Sequence, residues 1–189
     1  MQKLKPEIRD NILKNAETLF YAQSYEQAST RDIAEACGMS VSNLYKYFRN
    51  KEMIFDGVVR EFYKNYLIKM RSFLAHGEPD SFDDAQTDNV AGALFDSIRG
   101  NTIKFVILMD KSNGTKYENF RHKIAAEMLY HIMGGVPKAV DDKALKIITE
   151  NFFRGIVEIA KSRQSDTKML DSIKQIVAYH MAGMSKIYK

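Results

Sequence analysis

The sequence of 189 residues has one cysteine, no tryptophan and three prolines, and each scarcity excludes something. A lone thiol, Cys37, cannot build an internal disulfide framework, which points to a reducing compartment, the cytoplasm. So few prolines leave long stretches free to be helical. There is no apolar run of the roughly 18 residues that a membrane-spanning helix needs. The first residues, "MQKLKPEIRDNILK", lack the apolar core of a signal peptide. Neither charge sign dominates: 28 Lys and Arg stand against 24 Asp and Glu, a net charge of +4. So mild an excess says little by itself about a nucleic-acid partner, and its placement has to decide. Enzyme signatures are missing too. There is no Gly-x-Ser-x-Gly, no His-Glu-x-x-His and no dinucleotide fingerprint, so neither an enzyme nor a cofactor is expected. His76, His122, His131 and His180 are scattered and do not make a metal pair at helical spacing.

What is present is helical periodicity almost throughout, and the expected fold is all-α with about nine helices. Pro6 suits a first helical position, and Ile8, Ile12, Leu13, Ala16, Leu19 and Phe20 follow at helical spacing to about Gln23. Ser29 with Asp32 forms a near capping box for a short helix from Thr30 to Cys37. Gly38 suits the left-handed residue that stops it. Ser40 then caps a third helix, Val41 to Phe48, and Asn50 a long fourth one from Lys51 towards Leu74. Ser81 with Asp84 is expected to open a helix to about Ile98. "RGNTIKFVILMD" reads as a short buried helix and not as a strand, since no partner strand exists. A helix from Tyr117 to about Met133 follows, then "GGVP", then two long helices, Asp141–Arg163 and Asp166 to about Lys186.

Two short helices joined at a glycine have helix-turn-helix spacing. In that motif the second helix enters the major groove with its first residues at the base edges. Helical phase sends Met39, Leu44 and Phe48 inward and Val41, Ser42, Asn43 and Lys46 outward. Tyr45 and Tyr47 flank with hydroxyls able to reach phosphate, and Lys51 can neutralise one. No acid occurs from Cys37 to Lys51, as a surface facing the phosphate backbone requires. The competing reading of the same spacing is an ordinary helical hairpin with a solvated basic edge.

The stretch "STRDIAEACGMSVSNLYKYFRNKEMIF" resembles the DNA-binding signature of TetR-type (tetracycline-repressor-like) transcriptional regulators. The matching positions are Ser29, Ile33-Ala34, Gly38-Met39-Ser40, Leu44-Tyr45, Phe48 and Asn50-Lys51-Glu52, and "AETLFYAQSYEQAS" before it fits the family's first helix and linker. Ser24 departs from the family, which usually has Gly there, and Tyr47 replaces a frequent His. The resemblance covers the first quarter to third of the chain. It implies a helix-turn-helix DNA-binding domain, residues 1–50, and a ligand-binding and dimerisation domain, residues 51–189. It places Thr30 and Arg31 beside the duplex, lets Val41, Ser42 and Asn43 read bases, and assigns Tyr45, Tyr47 and Lys51 to the backbone, with Lys46 able to do either. It also implies a homodimer through the last two helices, a double-stranded palindromic operator, and a small-molecule effector that releases it.

The apolar stripes of those helices are wide enough for two partners. Leu145, Ile148, Phe152, Ile156 and Ile159 line the first, with Ile147 and Phe153 off the stripe. Met169, Leu170, Ile173, Ile176, Val177, Met181 and Met184 line the second. For an effector cavity, Tyr66, Phe105, Met109, Tyr117 and Met128 are the candidate wall, since aromatics and methionines suit apolar pockets. Two alternatives remain: a helical protein-interaction module, and a redox-responsive regulator acting through Cys37.

Overall fold

The computed structural model describes residues 5–75, 83–133 and 141–187, of which 129–133 and 187 are described by their backbone alone. Nine α-helices and no strand occur among the described residues. In chain order they are α1 (Pro6–Gln23), α2 (Thr30–Ala36), α3 (Val41–Tyr47), α4 (Lys51–Ala75), α5 (Asp84–Ile98), α6 (Thr102–Asp110), α7 (Phe120–Met133), α8 (Asp142–Lys161) and α9 (Asp166–Ile187).

Contacts divide the chain into two compact units. One comprises Met1–Lys64 with Ile103–Asn119, the other Asn65–Thr102 with Phe120–Lys189. The segment carrying α6 and the loop after it thus joins the first unit, and the residues of α4 are shared between both.

In the first unit, α1 buries Ile12, Ala16 and Phe20. Its core continues through Ile33, Ala34, Leu44 and Phe48 to Ile54, Phe55, Val58 and Val59. Phe20 meets Phe55 edge-on at 5.0 Å between ring centres, and Phe55 meets Tyr25 at 5.2 Å, the tilted geometry aromatic quadrupoles favour. The region expected as a buried helix is one: α6 buries five consecutive residues, Phe105 to Met109.

In the second unit, α9 packs on α5 and α8, and α7 packs on α8. At Gly155 the two long helices come so close that a Cβ would sit 2.9 Å from Cδ1 of Ile176. The core of α8 includes Leu145, Phe152 and Ile156 as expected, and also Phe153, which lies off the expected stripe yet is fully buried. The reason is the breadth of the buried face: α8 meets both α7 and α9, so residues on adjacent phases are covered.

Two boundaries differ from expectation for local reasons. Helix α5 is capped by Asp83, whose carboxylate accepts from the Gln86 N–H at 2.8 Å, and not by Ser81, which lies outside the described residues. Helix α7 begins at Phe120 instead of Tyr117. Residues 112–118 fold into turns of their own, where Thr115 Oγ1 accepts from the Tyr117 N–H at 3.0 Å and donates to the Ser112 carbonyl at 2.7 Å. The "GGVP" break lies outside the described residues.

Candidate nucleic-acid interface

The order of the first unit begins with its caps. Ser29 Oγ accepts from the Asp32 N–H at 3.1 Å, and the Asp32 carboxylate accepts from the Ser29 N–H at 2.9 Å, a reciprocal capping box. Those bonds from Ser29 hold the Asp32 carboxyl below the usual carboxylate range. The far end of α2 closes as a Schellman motif: the Gly38 N–H reaches the Glu35 carbonyl at 2.9 Å and the Met39 N–H the Ala34 carbonyl at 3.0 Å. Gly38 takes φ +64°, the left-handed conformation the motif needs. Ser40 then caps α3 by accepting from the Asn43 N–H at 3.2 Å. Two capped helices around a glycine turn are the geometry of a helix-turn-helix.

Leu44 and Phe48 anchor α3 in the core, while Met39 is only half-buried. The outer face carries the residues expected there. Ser42, Tyr45 and Lys46 are exposed, and Val41, Asn43 and Tyr47 half-buried. Ser42 Oγ lies 3.0 Å from Ser40 Oγ, which orients the Ser42 hydroxyl against the helix start. Thr30, first residue of α2, and Tyr45 of α3 share a hydroxyl–hydroxyl hydrogen bond of 3.3 Å. Arg31 is exposed beside them.

Lys51 differs from its expected use. Its ammonium donates to the Tyr25 carbonyl at 2.7 Å and the Ala28 carbonyl at 3.0 Å and lies 4.2 Å from the centre of the Tyr25 ring. Two of its three protons therefore hold the α1–α2 connection, leaving one for any outside partner.

Further cations flank α3 that the outward-face reasoning does not pick out. Arg49 is exposed just after the helix, inside the acid-free run. Arg9 of α1 places its guanidinium 5.2 Å from the centre of the Phe48 ring. The acid-free stretch itself is the signal for Arg49; Arg9 is reached only through the packing of α1.

The first unit also holds a buried carboxylate. Asp56 of α4 is 6% exposed and accepts from the Tyr117 hydroxyl at 2.6 Å, the Lys116 ammonium at 2.5 Å and the Arg60 guanidinium. Burial alone would raise its pKa, but the bonds from Lys116, Tyr117 and Arg60 outweigh that and hold it at about 2. The sequence signal is a lone acid within the otherwise apolar Ile54–Val59 stretch.

The five expected pocket residues fall in both units. Phe105, Met109 and Tyr117 belong to the first, Tyr66 and Met128 to the second. Phe105 and Met109 are buried in α6, Tyr117 is tied to Asp56, Tyr66 packs on Phe120 at 5.7 Å between ring centres, and Met128 is half-buried on α7. None of them lines the groove of about 350 Å³ on the second unit, which lies between α8 and α9 over Phe152, Ile176, His180 and Met184. Nearby, Tyr179 is 85% exposed and Ile147 49%. His180 stacks on Phe152 at 4.5 Å, its Nε2 is buried without a hydrogen-bond partner, and burial lowers its pKa to about 4.

The paired, capped helices have helix-turn-helix geometry within an all-α fold. Residues 12–58 match the pattern described as "Bacterial regulatory proteins, tetR family", so this stretch is similar to the TetR-type DNA-binding region. Among similar proteins is the transcriptional repressor KstR2 of Rhodococcus jostii, 35% identical over 69 residues, or 36% of this chain and 34% of that protein. The chain thus spans about a third of the length of the curated relatives it matches. Over nearly the whole chain the fold resembles a TetR-family member from Streptomyces coelicolor (TM-score 0.66, 16% identity, 91% of this chain and 90% of that one). It also resembles the ketosteroid regulator KstR2 of Mycobacterium tuberculosis (TM-score 0.62, 16% identity, 96% of each chain).

Proposed function

We propose that the protein is a dimeric transcriptional repressor that binds a palindromic operator through α3 and releases it when a small molecule binds. The observation that carries the reading is the outer face of α2 and α3. Thr30, Arg31, Val41, Ser42, Asn43, Tyr45, Lys46 and Tyr47 present hydroxyls, an amide and cations on a rigid, capped scaffold. Phosphate contacts from Thr30, Arg31 and the tyrosines set register, with Lys51 adding its remaining proton; Val41, Ser42 and Asn43 read bases. The protein works in the cytoplasm, in keeping with its single free cysteine.

The dimer forms through α8 and α9, whose shared face leaves Tyr179 and Ile147 in solvent. In a symmetric pair the same patch meets itself and the two recognition helices address half-sites about 34 Å apart. The effector occupies an apolar site lined by residues such as Tyr66 and Met128, or Phe105, Met109 and Tyr117. The redox alternative is not favoured: burial pushes the Cys37 thiol up, against a hydrogen bond from Asn15, and thiols react as thiolates.

The test is selection of duplexes from a random-sequence pool, followed by a salt titration on the winner. A preferred sequence with log affinity falling steeply against log salt is expected. Recovery of no preferred sequence, with weak binding equal on all duplexes, would sink the operator reading. Sedimentation at micromolar concentration is expected to show a dimer.

A further inference from the structure

Ser24 ends α1 with φ 86° and ψ 166°, a region of backbone space that is essentially reserved for glycine. A residue with a side chain stays there only if its surroundings over-determine it. Those surroundings act on the next residue. The Tyr25 N–H donates to the Lys111 carbonyl at 2.9 Å, its carbonyl accepts from Lys51, and its ring rests against Phe20 and Phe55.

Of these holds, the Lys111 carbonyl comes from the segment that follows α6. That segment is tied together by its own side chains. The Ser112 hydroxyl lies between the carbonyls of Leu108 (2.9 Å) and Tyr117 (3.1 Å), and Thr115 closes the turn beside it. It is fastened to α4 by the buried Asp56 carboxylate, through Tyr117 and Lys116. A continuous path therefore runs from Asp56 through residues 111–117 to the Tyr25 N–H, and from there to the strained turn.

We propose that Ser24 is a strained hinge held closed by the Asp56–Tyr117 latch, so that docking of the 111–117 loop sets operator affinity through the α1–α2 turn. Asp56, Tyr117 and Ser24 are then positioning residues, acting on the duplex through the placement of α2 and α3. With the latch made, the turn keeps its strained form and Ala28 keeps its N–H on the Ser24 carbonyl, 3.1 Å away. With the latch broken, Ser24 relaxes towards an ordinary extended conformation and α2, starting at Thr30, swings relative to α1. Strain of this kind is enough to shift such an equilibrium by about tenfold or more. The inference rests on the DNA-binding reading above.

The experiment is a double-mutant cycle on the full chain: wild type, Tyr117→Phe, Ser24→Gly, and both together. Tyr117→Phe removes only the hydroxyl and keeps the ring against Tyr63 and Phe55. Ser24→Gly keeps the turn and removes its strain. The probe is the duplex that wild type selects from a random pool. Tyr117→Phe is expected to weaken binding about tenfold alone but less than about threefold when combined with Ser24→Gly, a non-additivity that a purely structural latch does not produce. Equal weakening in both backgrounds, or none in either, overturns the proposal. Should Tyr117→Phe fail to fold, Asp56→Asn takes its place in the cycle with the same expectations. Hydrogen exchange at the Ala28 amide gives a readout without DNA: faster in Tyr117→Phe, protected in the double variant. If wild type selects no duplex, the DNA-binding reading fails while the Ala28 arm still decides the hinge.

Discussion

The two units spend their polar groups differently. In the first, polar side chains point at backbone and at each other. Ser29 and Asp32 cap reciprocally, Lys51 clamps two carbonyls, and Asp56 collects three donors. In the second, described contacts between α5, α7, α8 and α9 are dominated by apolar faces, and the face of α8 and α9 ends in solvent with Tyr179 and Ile147 uncovered. His180 sits on that face with a buried nitrogen left unbonded. The first unit's polar groups are largely spent inside it, while the second leaves large apolar side chains, Tyr179 and Ile147, in water, where burial would be favourable.

The contrast can be broken at several points. The largest effect is expected at the first unit's centre: Phe55→Ala removes a fully buried ring that touches Phe20, Tyr25 and Tyr117, and should cost about 3–5 kcal/mol in urea unfolding. Next, Lys51→Ala should cost about 1.5–3 kcal/mol, because an ionised donor leaves two carbonyls behind. Lys46→Ala should leave stability unchanged and flatten the salt slope of DNA binding by about one unit. If the two lysines proved alike in stability, the inward role of Lys51 would be wrong.

A smaller effect is expected at His180, and it depends on pH. Its folded-state pKa of about 4 lies below the roughly 6.5 of an unfolded chain, so the unfolded state takes up the proton first. Stability should therefore be full above about pH 6.5 and fall steadily towards about pH 4. Denaturant midpoints across this range should show a shallower fall in His180→Leu; an identical slope would remove His180 from the account. The smallest effect on folding is expected for Tyr179→Glu, within about 0.5 kcal/mol because the ring is 85% exposed. Yet the same change should shift sedimentation from dimer to monomer, and a variant still dimeric would show that the α8–α9 face is not the joint.

Much of the first unit could be read in the residues because its signals are local. The capping box at Ser29, the left-handed stop at Gly38 and the cap at Ser40 each work within three or four positions, so the boundaries of α2 and α3 follow from composition. Helical phase likewise separates Leu44 and Phe48 from Ser42 and Lys46. What escaped was decided at a distance. The inward use of Lys51 depends on carbonyls more than twenty residues away, and the latch pairs Asp56 with Tyr117 across 61 positions. The late start of α7 follows from side chains of Ser112 and Thr115 competing with the helix for the same backbone groups. In α8, Phe153 is core because two neighbouring helices widen the buried face, which a single stripe does not reveal.

The shared bond between the Thr30 and Tyr45 hydroxyls has a consequence for how the surface meets an anion. Two hydroxyls own two protons and one of them lies between the oxygens, so one proton is always left to point away. Either oxygen can be the donor within the pair. Reversing the internal bond therefore moves the outward proton from the threonine to the tyrosine, 3.3 Å along the surface, without displacing a heavy atom. The pair can donate from either end: an incoming anionic oxygen would find a proton at whichever hydroxyl it reached first, so small differences in anion spacing would be absorbed by a proton and not by the fold.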